Sequence, residues 1–253
     1  MSSYRVPART ITRLGRAMLR LGETSLLGDA AEVVGAARPP MRLSGHENVP
    51  GAGPFVFVPN HCQRRGLWIG FPSALLTRVL AEKRPHAAPL HWAVVGETRW
   101  AAGRLPIPGT RWAYAEVARC YQMVTLPARE EDVAGRGQAL RRLARLALPP
   151  PRGRGEPIGL YPEGEHGTSA AMVDALPGTG AFLALLGAAG VPSVPVGIAE
   201  TTGGLEVRIG SPFIPQRRRG ADADLLARVE VMSRIAALVP ARMRGPHAPR
   251  VVE

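Results

Sequence analysis

The chain has 253 residues, 45% of them hydrophobic, with 32 basic against 20 acidic side chains and a formal charge of +12. That length suits one large α/β domain, or one domain with a helical appendage, and is enough to bury a full core. Lys83 is the only lysine, so the positive charge is carried almost wholly by arginine, which favours anionic partners. Nucleic acid is set aside as a partner, because the basic residues are not interleaved with aromatic ones as in single-strand binders.

The two cysteines, Cys62 and Cys120, have neither metal-ligand spacing nor the density of a disulfide framework, which points to a reducing cytosol and to no bound metal or cofactor. No apolar run reaches the roughly 18 to 20 residues that span a bilayer, and arginines interrupt any signal-like core at the N-terminus. Membrane contact is therefore expected to be peripheral.

Residues 9–22 carry Ile11, Leu14, Met18 and Leu21 on one stripe and Arg9, Arg13, Arg16 and Arg20 on another. At about 100° per residue the stripe centres lie roughly 150° apart, the pattern of a basic amphipathic helix. Two readings stand: a helix lying among lipid headgroups, or one docked on its own domain with a solvated arginine face. A second helix over residues 26–34 makes an antiparallel pair, closed by Arg38-Pro39-Pro40.

Residues 41–43 read as an edge strand. Phe55, Val56, Phe57 and Val58 form a short buried strand, stopped by Pro59, which has no N–H for a sheet ladder. Asn60 and His61 then stand at a strand's end. Leu67, Trp68, Phe71, Leu75 and Leu76 recur at helical spacing, predicting a helix over 67–80. Strands follow at 90–95 and 121–126, with a loop near 101–108 flanked by Trp100 and Trp112.

A helix over 138–148 turns Leu140, Leu143, Ala144 and Leu148 inward and Arg141, Arg142 and Arg145 outward. A strand over 158–161 ends in Pro162-Glu163-Gly164. A helix over 177–187 starts on a favourable proline. Strands at 194–199 and 205–209 precede a last helix, capped by Asp222, whose predicted inner face is Leu225, Leu226, Val229, Met232, Ile235 and Ala236. The expected fold is α/β, a central mixed sheet flanked by helices with the amphipathic helical pair in front. The segments are 1–38 (membrane-proximal helices), 39–244 (the α/β domain) and 245–253 (a disordered, proline-rich tail).

Gly45-His-Glu47-Asn48-Val-Pro50, a strand running into Asn60-His61, then Tyr161-Pro162-Glu163-Gly164, Pro177-Gly178 and Val191-Pro192-Ser-Val-Pro195-Val follow one another in an order that resembles the glycerolipid acyltransferases. That family carries Asn-His-x-x-x-x-Asp, Phe-Pro-Glu-Gly-Thr-Arg, a Pro-Gly before a helix and a Val-Pro-Val-x-Pro block, and the resemblance covers roughly residues 40 to 240. It implies transfer of a fatty acyl group from acyl-CoA or acyl-carrier protein to the hydroxyl of a glycerophospholipid-type acceptor. The setting it implies is an anionic membrane surface at the cytoplasmic, inner face.

His61 is the natural general base, Glu163 is the carboxylate expected to act with it, and the resemblance implicates the block at Glu163 in acceptor binding. Substrate is expected to meet Asn60, Arg64, Arg65, Arg129, Pro162, Gly164, Glu165 and His166. Chemically, acyl transfer from a thioester needs a base on the acceptor hydroxyl, stabilisation of an oxyanion, and positive charge for phosphates.

The chain departs from the pattern at three places. Gly66 replaces the motif aspartate, Glu165-His166 replace Thr-Arg, and the glycine of the block before Arg129 is absent. Without that aspartate, the carboxylates left to orient the imidazole are Glu163, Glu165 and Glu97; otherwise the chain is a catalytically silent relative that binds acyl lipid or anionic membrane. An acyl-cysteine at Cys62 is disfavoured, because neighbouring side chains on extended backbone point to opposite sides.

Overall fold

The computed structural model describes residues 4–62, 67–86, 88–100, 105–128, 132–164 and 171–248. In chain order these form α1 (Ala8–Met18), α2 (Leu26–Ala36), β1 (Arg42–Ser44), β2 (Val56–Pro59), α3 (Gly70–Lys83), β3 (His91–Val95), β4 (Arg99–Trp100) and β5 (Leu105–Pro106). They continue with α4 (Thr110–Tyr121), β6 (Val124–Leu126), α5 (Val133–Ala147), β7 (Ile158–Gly159), α6 (Thr179–Gly187), β8 (Ser193–Thr201), β9 (Gly204–Ile209) and α7 (Ala223–Ala236).

Among the described residues, seven strands make one sheet in the order β1-β9-β8-β2-β7-β3-β6, and β4 pairs with β5 in a small hairpin. β8, β2, β7, β3 and β6 run parallel to one another. β9 turns back antiparallel to β8, and β1 lies parallel to β9 at the edge. The fold is thus α/β with a central mixed sheet flanked by helices. Phe55 to Val58 are all fully buried, because β2 has a neighbour on each side and helices above and below; its unbroken apolar run is the signature of such a position.

The N-terminal helices pack on this body, α1 against α4 and α2, and α2 against α3. α1 docks by the seam between its two stripes. Thr10 and Ala17 are buried, Arg13 ion-pairs with Asp29 and Glu32 of α2, and Ile11 on one flank and Arg9 on the other stay in solvent. Buried Asp29 also accepts from the hydroxyls of Thr24 and Tyr121, each at 2.5 Å, so one carboxylate fastens α1, α2 and α4 together. Burial and then the neighbouring Asp29 push the Tyr121 phenol well above its usual range.

Four expectations are corrected. The chain is helical through Tyr121, so the strand predicted over 121–126 is confined to Val124–Leu126. On α7, Leu225, Leu226 and Val229 face solvent, while Ala227, Val231, Met232, Ile235 and Ala236 are inward. The helix follows its small residues rather than its leucines, since Gly180 of α6 has room for the α7 backbone only. Asp222 makes no side-chain cap on α7. Instead Asp224 caps α6, accepting from the Gly178 and Ala181 N–H groups at 3.0 and 2.8 Å. The tail begins ordered, with Gly245–His247 forming a 3-10 turn whose His247 Nε2 lies 3.2 Å from the Val173 carbonyl; the residues after 248 lie outside the described ones.

Candidate active site at the strand edge

β2 and β7 are neighbours in parallel register, with Val56 opposite Ile158 and Phe57 opposite Gly159. Carrying that offset four residues further sets His61 level with Glu163, where both strands have run out of ladder. The carboxyl ends of parallel strands are where α/β proteins place ligands. The register therefore brings two loops about a hundred residues apart in sequence into direct contact.

The contact is made through the main chain. Glu163 Oε1 accepts the His61 backbone N–H at 2.6 Å, and Oε2 accepts the Val173 N–H at 2.8 Å. Glu163 is only 1% exposed, and burial raises its carboxyl to about 7 against the opposing pull of the two N–H donors. It thus acts as a strut that holds the 61 loop and the 173 loop to the end of β7. The orienting role expected of it at the imidazole takes this different form, because the side chain meets His61 at its backbone nitrogen.

Asn60 is buried and fills in for strand backbone. Its amide donates to the Ile198 carbonyl at 3.0 Å and accepts the Ile198 N–H at 2.6 Å, extending the β2–β8 pairing one step past Pro59. The expected substrate contact of Asn60 is, in this structure, a bond to β8 that sets the height of the following histidine.

The His61 ring is half-buried, with Nδ1 shielded from solvent and the Tyr161 ring 5.5 Å away in an edge-to-face arrangement. Tyr161 is in turn stacked on Trp92, and its hydroxyl bonds the Ser73 hydroxyl at 2.8 Å. Trp92 donates its indole N–H to Thr77. Burial raises the Tyr161 phenol, partly offset by Ser73, so it stays protonated. Ser73 and Trp92 were not singled out by sequence. Ser73 sits on a helix whose apolar spacing drew all the attention, and nothing in the order of residues shows that Trp92 underlies Tyr161.

Pro162 is buried, and its carbonyl accepts the Leu176 N–H at 2.9 Å. Gly164 has φ of +70°, and the Leu176 side chain lies 2.3 Å from where a Cβ would stand, so its missing side chain serves the turn and the packing of Leu176. Glu97 ion-pairs with the nearly buried guanidinium of Arg99, an arginine that sequence reading passed over. Trp68, expected on the inner face of a helix over 67–80, lies before α3 and is exposed, its ring edge-to-face with that of Phe71. Arg64, Arg65, Gly66, Arg129, Glu165 and His166 lie outside the described residues.

Among the described residues no cluster of three or more histidine, cysteine or acidic side chains can hold a metal ion, and no helix is long and apolar enough to cross a membrane. Fold and site together define an α/β protein with a histidine and a buried carboxylate joined at the carboxyl edge of neighbouring parallel strands. No protein-family model matches the chain, and no curated protein does. Among solved structures the chain is similar to the crystal structure of the 1-acyl-sn-glycerophosphate (LPA) acyltransferase PlsC from Thermotoga maritima. The identity is 14%, the alignment covers 84% of this chain and 78% of that one, and the TM-score is 0.49.

Proposed function

We propose that the protein transfers a fatty acyl group from the thioester of acyl-CoA or acyl-carrier protein to the hydroxyl of a glycerophospholipid-type acceptor at a membrane surface. The observation that supports this reading is the contact between the Asn60-His61 loop and the Pro162-Glu163 loop, the two segments whose sequence resembles the acyltransferase blocks. In the reaction, His61 takes the acceptor's proton as its oxygen attacks the thioester carbonyl. The tetrahedral oxyanion then collapses, the C–S bond breaks, and the leaving thiolate recovers the proton from the imidazolium. Because Nδ1 is shielded, an acceptor arriving from solvent meets Nε2.

Glu163 is a positioning residue in this scheme. Its two backbone bonds fix where the His61 Cα stands, and the edge of Tyr161 limits how the ring turns. The exposed Ile11 and Leu19, flanked by Arg9 and Arg16, supply a peripheral contact with anionic lipid at the inner face. A second reading, a catalytically silent lipid binder, is favoured by one fact: Gly66 stands where the resemblance calls for an orienting aspartate.

Thioester release assayed over several donors and acceptors separates the two. Turnover by the natural protein that is lost in His61→Ala supports acyl transfer. No turnover by either, with activity appearing in Gly66→Asp, supports the silent reading.

A further inference from the structure

α6 has the sequence Thr-Gly-Ala-Phe-Leu-Ala-Leu-Leu-Gly, apolar on every side and without a charge. A helix of that composition belongs in a core. Here Phe182, Leu183 and Leu186 are buried, yet Ala181 is exposed and Leu185 is 49% exposed. These two form the floor of a groove of about 440 Å³, walled on one side by Leu140, Arg141 and Ala144 of α5 and on the other by Arg217, Arg218 and Ala223. That volume falls within the range of small-molecule sites, about 300 to 1,000 Å³.

Charge distinguishes the groove from an ordinary gap between helices. Arg141, Arg217 and Arg218 all line it, and none of the three has a carboxylate partner among the described residues. The Arg141 guanidinium lies along α5 beside Gly137, and both line the groove. Of the carboxylates near the groove, Asp224 is committed to capping α6 and to Arg228, and Glu230 accepts the Gln216 N–H. Three unneutralised guanidinium groups around an apolar floor match a ligand with a multiply charged anionic head and an alkyl tail. Phosphate fits better than a single carboxylate, since it offers three oxygens and up to two charges to fork-shaped donors.

We propose that this groove is a second lipid site, sharing no lining residue with the strand-edge site, which binds a single-chain amphiphile bearing a phosphate head. The tail lies on Ala181 and Leu185, and the head is held by Arg141, Arg217 and Arg218. The site does not depend on whether the chain transfers acyl groups.

Calorimetric titration of the full-length protein with dodecyl phosphate, kept below its micellar concentration, tests this. The expected result is saturable one-to-one binding, weakened at least tenfold in Leu185→Asp and in the Arg141→Ala/Arg218→Ala double variant, and unchanged in His61→Ala. Ala181→Trp, which fills the floor from an exposed position, is expected to do the same if Leu185→Asp fails to fold. Dodecyl maltoside and inorganic phosphate should each bind at least tenfold more weakly than dodecyl phosphate. Equal binding of the maltoside would remove the role of the arginines, and equal binding of inorganic phosphate the role of the floor. Loss of binding in His61→Ala would move the amphiphile to the strand edge; either that result or an unaffected Ala181→Trp overturns the proposal.

Discussion

β7 carries a histidine–glutamate pair at each of its ends, and the two are built in opposite ways. At the carboxyl end Glu163 holds His61 by its backbone N–H. At the amino end Glu156 holds His91 by the ring, with Nε2 2.8 Å from the carboxylate and Nδ1 2.7 Å from the Gln122 carbonyl. A carbonyl can only accept, so Nδ1 of His91 carries a hydrogen, and Nε2 lies against a carboxylate that Arg154 also contacts. Both nitrogens of His91 are thus spent on structure. Glu163 locates His61 by its main chain, so that bond fixes the side chain's origin and does not involve the imidazole.

The contrast is broken most severely by truncating each histidine in turn. His61→Ala is expected to cut thioester turnover by about 10²- to 10⁴-fold, the usual worth of a general base, while shifting the melting temperature little. His91→Ala should do the reverse. It strips the buried Glu156 of its bond to the ring and leaves it only the solvent-exposed Arg154, at a cost of about 1 to 3 kcal/mol in chemical denaturation, with turnover per folded molecule unchanged. If both variants lose stability and neither loses turnover selectively, the two ends of β7 do not differ in role.

A pH series sharpens the comparison. Glu163 binds a proton with a pKa of about 7 when folded and 4.5 when unfolded, so between those values the folded chain holds the extra proton. The stability this contributes is complete below about pH 4.5 and is lost as pH rises through about 7, a fall of about 3 kcal/mol. Glu163→Gln should flatten that dependence in urea unfolding measured from pH 5 to 8. A wild-type curve that rises over this range would contradict it. The smallest effect is expected at Trp68→Ala, where an exposed ring is removed and stability should move by less than about 0.5 kcal/mol.

The strand ends were legible because proline marks them. Pro59 and Pro162 close apolar runs, and each is followed by the residue that matters. What joins the two ends is the β2–β7 register, and no local pattern specifies which strands become neighbours. Asn60 read as a ligand group because its motif position suggested one, whereas its amide completes a ladder that proline had interrupted. The inner face of α7 was misread because leucine outranks alanine in apolarity, yet close approach to Gly180 of α6 favours small side chains. His91 gave no signal at all, since its partners lie 31 and 65 residues away.

Asp29 has a consequence for anyone who trims this protein. Removing the first 22 residues to ask whether they grip a bilayer would also withdraw Arg13, leaving an anion sealed among helices with only two hydroxyls to answer it. A shortened version that no longer sediments with vesicles would then have two explanations, a missing foot or a loosened frame. Charge-bearing replacements at Ile11 and Leu19, whose side chains stand clear of that junction, ask the same question and leave the frame intact.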